Sequence, residues 1–341
     1  MTMSEAPPMR PEGLQAIDRE MARQNRDAIA SHAAAQQMAV EVAASLRRTG
    51  RLLLLGMGGS HAVGRTVEPL YRARGIDAIA MPVSEQLGAP LALDGRTIFV
   101  TSQSGESGEV LRWFRQTGGT PDTFGLTLEG RSFLAGAAPS LIGVGGTERA
   151  FAATRSLTIT LALHLAVLEA LGEDPAPALS ALAMPERPDI DAALTALAAV
   201  RTVVTSGRRL QGIAEALALG LTELARLPCY ALEGGQLRHG PMEMLAPDVG
   251  VVLFRGEDAT AELVTGMATS VIAAGAPVVL FDTSGAGPVD GAVTIAFKPA
   301  TGLAAVFAML PAAQRLMVAF AAARLPDAGT PVRSSKITRS E

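Results

Sequence analysis

Largely apolar runs of three to six residues alternate along this chain with longer stretches of helical spacing. Leu52–Leu55, Ala78–Ala80, Thr97–Thr101, Phe124–Thr127 and Leu141–Val144 read as strands in the first half. Runs this short and apolar suit strands covered on both faces, and helical patterns fall between them. Met184-Pro185-Glu186-Arg187-Pro188-Asp189 breaks the pattern and reads as a linker. The pattern then restarts. Thr202–Thr205, Val249–Phe254, Val278–Phe281 and Val293–Phe297 are the strands of a second half. The two halves therefore read as an internal duplication of one α/β unit. Residues 12–48 carry Ala, Gln, Glu and Arg at helical spacing and read as one or two helices preceding the first unit.

The turns between strands and helices hold the chemistry. Ser102-Gln103-Ser104-Gly105-Glu106-Ser107 follows one strand and precedes the amphipathic pattern Glu109–Phe114. A helix start offers free backbone N–H groups and positive potential, serines add neutral donors, and Gly105 lets the backbone approach a ligand. That is a phosphate cradle with no required lysine or metal. Gly56-Met57-Gly58-Gly59-Ser60-His61 sits at an equivalent turn after the first strand. It lacks the third glycine of a dinucleotide fingerprint and the Lys-Ser/Thr of a P-loop. It reads either as a plain tight turn or as a second set of donors, from Gly59 and Ser60, for the same ligand. Only the first half keeps the serine-rich loop.

Other residues are ambiguous taken alone. Glu148 precedes a long apolar helix and reads as a charge complementing the helix dipole. Ala214–Leu227 is nearly apolar all round yet carries Glu215 and Glu223, which lie either on a narrow wet face or buried for a purpose. His239 lies in Glu233-Gly234-Gly235-Gln236-Leu237-Arg238-His239-Gly240-Pro241, read as a loop that either is bland surface or positions an acid–base group. Pro331–Thr338 is polar and reads by composition as a disordered tail.

Composition narrows the class. The 341 residues are 48% hydrophobic and 18% charged, enough for two cores of ordinary size. Aromatics make up 4% and the net charge is −4, which argues against nucleic-acid binding. The one cysteine, Cys229, cannot staple the fold and suits a reducing compartment. The first eight residues are polar and proline-bearing, unlike a signal peptide. The longest apolar stretches carry polar breaks and read as buried helices rather than membrane spans. A cytoplasmic protein is expected, with no partnership with a membrane. No histidine or cysteine spacing resembles a metal site.

Gly58-Gly59-Ser60, Ser102–Ser107, the Gly-Gln-Leu-Arg-His-Gly-Pro stretch at 235–241 and the closing Pro-Val-Arg-Ser-Ser-Lys occur in an order that resembles the sugar isomerase (SIS) domain family. More narrowly, the chain resembles the isomerase half of glucosamine-6-phosphate synthase over roughly residues 12–341. The resemblance implies an α/β fold of two tandem SIS domains, each a parallel sheet flanked by helices in three flavodoxin-like layers. The expected divisions are an N-terminal helical segment 1–48, domains at 49–184 and 190–324, and a C-terminal loop 325–341.

The same resemblance implies roles. Gly59, Ser60, Ser102, Gln103, Ser104 and Ser107 would hold a sugar phosphate, Ser107 standing where a threonine is usual. Glu148 and Phe151 would close the sugar pocket, Ala153 replacing a usual serine, and Ser335 would join them from the tail. Glu223 would move a proton between C1 and C2. His239 would open the sugar ring from the neighbouring subunit of a homodimer. Lys336 would meet the open-chain sugar. A dimer is also expected because the apolar helices at 156–171 and 302–324 could cover more surface than one subunit needs.

Two departures from the family stand out. Gly220 occupies the position of a lysine, and the glutaminase domain with its N-terminal cysteine has no counterpart, so the chain is not expected to hydrolyse glutamine itself. The implied activity is conversion of glucosamine 6-phosphate to fructose 6-phosphate and ammonia, without metal or redox cofactor. Alternatives are a fructosamine-6-phosphate deglycase, ammonia-dependent synthesis, and a sugar-phosphate sensor without catalysis.

Overall fold

The computed structural model describes residues 10–338. The first eight residues and the ends of the 1–48 and 325–341 segments, at 1–9 and 339–341, lie outside the described residues. Two helices open the chain, α1 (Glu12–Ala34) and α2 (Gln36–Thr49). The first half then runs β1 (Arg51–Gly56), α3 (Gly59–Ala73), β2 (Asp77–Pro82), α4 (Val83–Gly88), β3 (Thr97–Thr101), α5 (Gly108–Thr117), β4 (Thr123–Thr127), α6 (Phe133–Ala137), β5 (Ser140–Ile142), α7 (Arg155–Ala170) and α8 (Ala176–Ala183). The second half runs α9 (Asp191–Ala196), β6 (Thr202–Ser206), α10 (Gln211–Ala225), β7 (Cys229–Ala231), α11 (Gly234–Arg238), β8 (Val249–Arg255), α12 (Ala261–Ala273), β9 (Val278–Asp282), β10 (Val293–Ala296) and α13 (Gly302–Ala322). A single 3-10 turn, Pro241–Met244, follows α11.

All strand pairings are parallel. The first sheet has the order β2-β1-β3-β4-β5 and the second β10-β9-β8-β6-β7. Numbered within its own half, each reads 2-1-3-4-5. The doubly wound α/β architecture expected for each half is therefore present twice. Alternate residues of each strand face opposite layers, as pleating requires. In the first sheet Leu53, Leu55, Ile98 and Val100 pack under α4, α5 and α6, around Trp113. Leu52, Leu54 and Phe99 face the other way. In the second sheet Val251, Leu253 and Leu280 face α12, while Val252, Phe254, Val279 and Phe281 face inward. The inward faces of both sheets share one continuous core with α3, α7, α10 and α13.

That sharing revises the expectation about the apolar helices. Fourteen residues of α7 are buried, and so is most of α13, against neighbours in the same chain. Their apolar surface is consumed inside one protomer, so it gives no ground for a dimer. Gly302–Ala322 is long and apolar enough to cross a membrane, and 83% of its most apolar window is buried within the protein.

Close helix contacts fix α10 at the centre of this core. A Cβ on Gly212 would stand 2.2 Å from the Thr66 backbone nitrogen on α3, and one on Gly220 2.2 Å from the Met317 sulfur on α13. Small residues at both crossings let the backbones approach. Gly220 therefore does more than lack a lysine: Met317 occupies the space beside it.

Boundaries moved in places. The fourth and fifth strand runs begin at Thr123 and Ser140, the latter ending at Ile142 rather than Val144. The helix after the Gly56–His61 turn already starts at Gly59, inside that turn. Three-residue β7 carries no readable alternation.

Candidate active site

In a 2-1-3-4-5 sheet the strand order reverses between the first and third strands, and ligands bind beyond the carboxyl ends there. In the first sheet this point lies between β1 and β3. The two glycine- and serine-bearing turns meet at it. A cleft of 360 Å³ opens between them, lined by Gly59, Ser60, Ser102, Gln103, Ser104 and Ser107. Phe151, Glu223, Ser335 and Lys336 line it as well. Ten of the twelve site residues expected from sequence are thus brought together by the fold.

The Ser102–Ser107 turn is built for tight backbone placement. Gly105 has φ +66°, and a Cβ there would stand 2.1 Å from the Ser132 hydroxyl oxygen. The Glu106 amide donates to Ser104 Oγ at 3.2 Å, closing a small local turn. Ser107 is the N-cap of α5, and Gly58 that of α3. Two helix N-termini therefore point into one cleft, each favouring negative charge.

A third N-terminus, that of α7, is already filled from inside the protein. Glu148 is fully buried, and one carboxylate oxygen accepts from Thr154 N (3.0 Å), Thr154 Oγ1 (2.7 Å) and Arg155 N (2.9 Å). The other accepts from Ser156 N at 3.3 Å and from the Ser156 hydroxyl. Lys336 Nζ stands 3.5 Å from the same oxygen and 3.3 Å from the Phe151 carbonyl. Burial alone would raise the Glu148 pKa. The Lys336 charge and the Ser156 and Thr154 hydrogen bonds outweigh it and hold the carboxyl below its usual range. Glu148 complements the helix dipole, as its position before α7 suggested, and it also anchors Lys336. It does not itself line the cleft.

Glu223, on α10, is carried to this cleft from the second half. Its side chain is half-buried rather than on a wet surface face. Burial pushes its pKa up to about 7; Lys336 pulls it down and Glu148 pushes it further up. A carboxyl that changes protonation near neutrality is suited to take and return a proton. The neighbouring Glu215 instead faces Arg65, with its oxygen 3.5 Å from Nε.

The C-terminal segment packs against the cleft instead of extending away from it. Ser334 through Thr338 line one wall. The Gly108 amide, in the first turn of α5, donates to the Thr338 carbonyl at 3.0 Å. Composition misread this segment because two point contacts, at Lys336 and Thr338, hold it. A sequence signal for Lys336 does exist. Of 29 basic residues only Lys298 and Lys336 are lysines. Elsewhere the chain uses arginine, so a compact amine at this place is specific.

His239 is not brought into this cleft. It follows α11 directly and is exposed. The segment is a short helix rather than a loop, because the Glu233 carboxylate caps it by accepting from Gly235 N (2.7 Å) and Gln236 N (3.3 Å). Sequence reasoning missed Glu109, Ser156 and Thr160, which also line the cleft. Among the described residues no group of three or more His, Cys, Asp or Glu is placed to hold a metal ion.

Comparison with protein-family models and with curated protein sequences finds no match. Comparison of folds finds many. The C-terminal domain of glucosamine-fructose-6-phosphate aminotransferase from Francisella tularensis superposes with a TM-score of 0.77 at 18% identity, covering 91% of this chain and 96% of that one. Tagatose-6-phosphate ketose/aldose isomerase from Escherichia coli gives 0.77 at 20%, covering 93% and 95%. Glucosamine-6-phosphate deaminase from Thermotoga maritima gives 0.67 at 20%, covering 91% and 99%. Over nearly its whole length, this chain has the fold of the SIS-domain phosphosugar isomerases.

Proposed function

We propose that this chain is a phosphosugar isomerase that acts on an aminosugar phosphate, converting glucosamine 6-phosphate and water to fructose 6-phosphate and ammonia. The observation that carries the reading is Glu223, a carboxyl with a pKa of about 7 facing the same cleft as two helix N-termini, seven serines and Lys336. The fold shared with a glucosamine-6-phosphate deaminase supports it.

The phosphate sits among Ser60, Ser102, Ser104 and Ser107 and the starts of α3 and α5. That anchor directs C1 and C2 of the open-chain sugar toward Glu223. Glu223 removes the C2 proton, leaving an enolamine, and returns a proton at C1. The product is a ketimine at C2. Water adds to it and ammonia leaves, giving the ketose. The Lys336 ammonium, steadied by Glu148 and the Phe151 carbonyl, offsets negative charge developing on the C1 oxygen.

Ring opening calls for a further acid–base group. The cleft of one protomer has no histidine lining it, while His239 is exposed on the surface. In a homodimer the partner subunit's His239 would complete the site.

The test measures ammonia and fructose 6-phosphate from glucosamine 6-phosphate, with the parent protein beside Glu223→Gln. Equimolar products from the parent and their loss in the folded variant support the reading. Binding of the aminosugar phosphate with no ammonia from the parent would rule out the deaminase and leave the deglycase or sensor.

A further inference from the structure

Three carboxylates stand at or beside the cleft, and they differ in how they are satisfied. Glu148 accepts from every side. Glu223 is half-buried and holds its proton near neutrality. Glu109 fits neither pattern. It lines the cleft, is only 9% exposed, and its Oε2 is buried with no hydrogen-bond partner among the described residues. A buried carboxylate oxygen left unsatisfied is costly, and such groups are rare in folded proteins.

Its position fixes which end of the cleft it serves. Glu109 lies in the first turn of α5, two residues after the N-cap Ser107. It therefore stands on the helix start that Ser107 caps, which the proposed function gives to the phosphate. A carboxylate is an acceptor only. It cannot complement a phosphate oxygen, and it repels a second phosphate. Its complement is a hydroxyl close to the phosphate.

We propose that Glu109 is a specificity residue that accepts a hydrogen bond from the substrate hydroxyl on the carbon next to the phosphate-bearing carbon. The site then selects polyhydroxylated monophosphates over plain alkyl phosphates, and it disfavours bisphosphates by like-charge repulsion. This assignment rests on the cleft being a phosphosugar site, as proposed above. It adds which feature of the sugar is read at the phosphate end.

Calorimetric titration of the full chain with glycerol 3-phosphate and with propyl phosphate tests it. The two share a phosphate ester and differ in hydroxyls, one of them on the neighbouring carbon. The parent is expected to bind glycerol 3-phosphate about tenfold tighter, the scale of one hydrogen bond to a charged group. Glu109→Ala brings the ratio to about one. Glu109→Gln, which keeps an acceptor oxygen, retains most of it, and retained melting behaviour in the variants shows that folding is intact. Equal affinities in the parent, or an unchanged ratio in Glu109→Ala, overturn the assignment while leaving the phosphosugar reading intact. Failure of the parent to bind either ester overturns the phosphosugar reading and the assignment with it.

Discussion

The two sheets of this protein have the same strand order, yet their switch points have become different places. In the first, the turns after β1 and β3 present serine hydroxyls to an open cleft. In the second, several donors of the turns after β6 and β8 are taken up within the protein. The Gly207 amide donates to the Gln211 side chain at 3.1 Å, and Thr260 N to Asp258 Oδ1 at 2.7 Å. The Glu257 amide donates to the Ala300 carbonyl at 3.3 Å. A buried Arg255–Asp282 pair, 2.6 Å apart, ties the ends of β8 and β9 together. The 310 Å³ cleft left there is lined by the apolar Pro69, Leu70 and Leu210 and by the charged Arg209, Glu257 and Asp258. Topology provides a location twice, and side chains decide whether an anion can use it. The second half contributes differently, by sending α10 and its Glu223 into the first cleft.

The largest expected effect breaks that division of labour. Glu223→Gln lowers kcat for glucosamine 6-phosphate by about a hundredfold to ten-thousandfold, the usual range for a proton carrier. Affinity for the substrate stays within a few fold, because in the proposed site the phosphate is held by the other half. Steady-state kinetics beside calorimetry separates the two.

Next comes the support beneath the first cleft. Arg155 is fully buried at the start of α7. It donates to Glu20 at 2.6 Å and to the Gly146 carbonyl at 2.7 Å, with Asp27 at 3.4 Å. Arg155→Ala leaves buried carboxylates without their cation and is expected to cost about 3–5 kcal/mol in urea unfolding. An exposed arginine such as Arg209 gives a change near zero.

A smaller effect comes from the proton of Glu223 itself. Its pKa is raised on folding, so the folded state holds the proton more tightly than the unfolded chain does. Stability from this group is complete below the ordinary carboxyl range and is lost as pH rises toward 7. Glu223→Gln removes that loss. The variant should be more stable than the parent by ~2 kcal/mol at pH 8, the open cleft screening part of the full effect. At pH 4 the two should match, which thermal melts at both values will check.

Ser104→Ala sharpens the contrast between the sheets further. It should weaken binding of a phosphate ester about tenfold, the scale of one hydrogen bond to an anion. Calorimetry of the parent should give one phosphate ester per chain. A second site of similar affinity would erase the difference between the switch points.

Much of this arrangement was readable in the sequence, and the exceptions have physical reasons. Leu52–Leu55 and Thr97–Thr101 were legible as strands because a sheet covered on both faces admits few polar residues. The Ser102–Ser107 loop was legible as a strand-to-helix turn because its polar and glycine residues stand between an apolar run and an amphipathic pattern. The side on which Glu223 lies was not, because α10 is nearly apolar all round and its rotation is set by Gly212 against Thr66 and Gly220 against Met317. The docking of the tail was not legible from composition, since it depends on Glu148 being buried far away in sequence. The covered state of α7 and α13 was invisible because periodicity cannot tell a helix buried in its own chain from one buried in a partner.

The most direct test of this account is the titration of Glu223 in the free protein. Carboxyl carbon NMR of glutamate-labelled protein, compared between the parent and Glu223→Gln, would follow it without any assumption about substrate. The expected result is one glutamate that titrates near pH 7 in the parent and is missing from the variant. If no glutamate of the parent titrates near pH 7, α10 does not deliver a proton carrier to the first cleft, and the division of labour between the two halves is wrong.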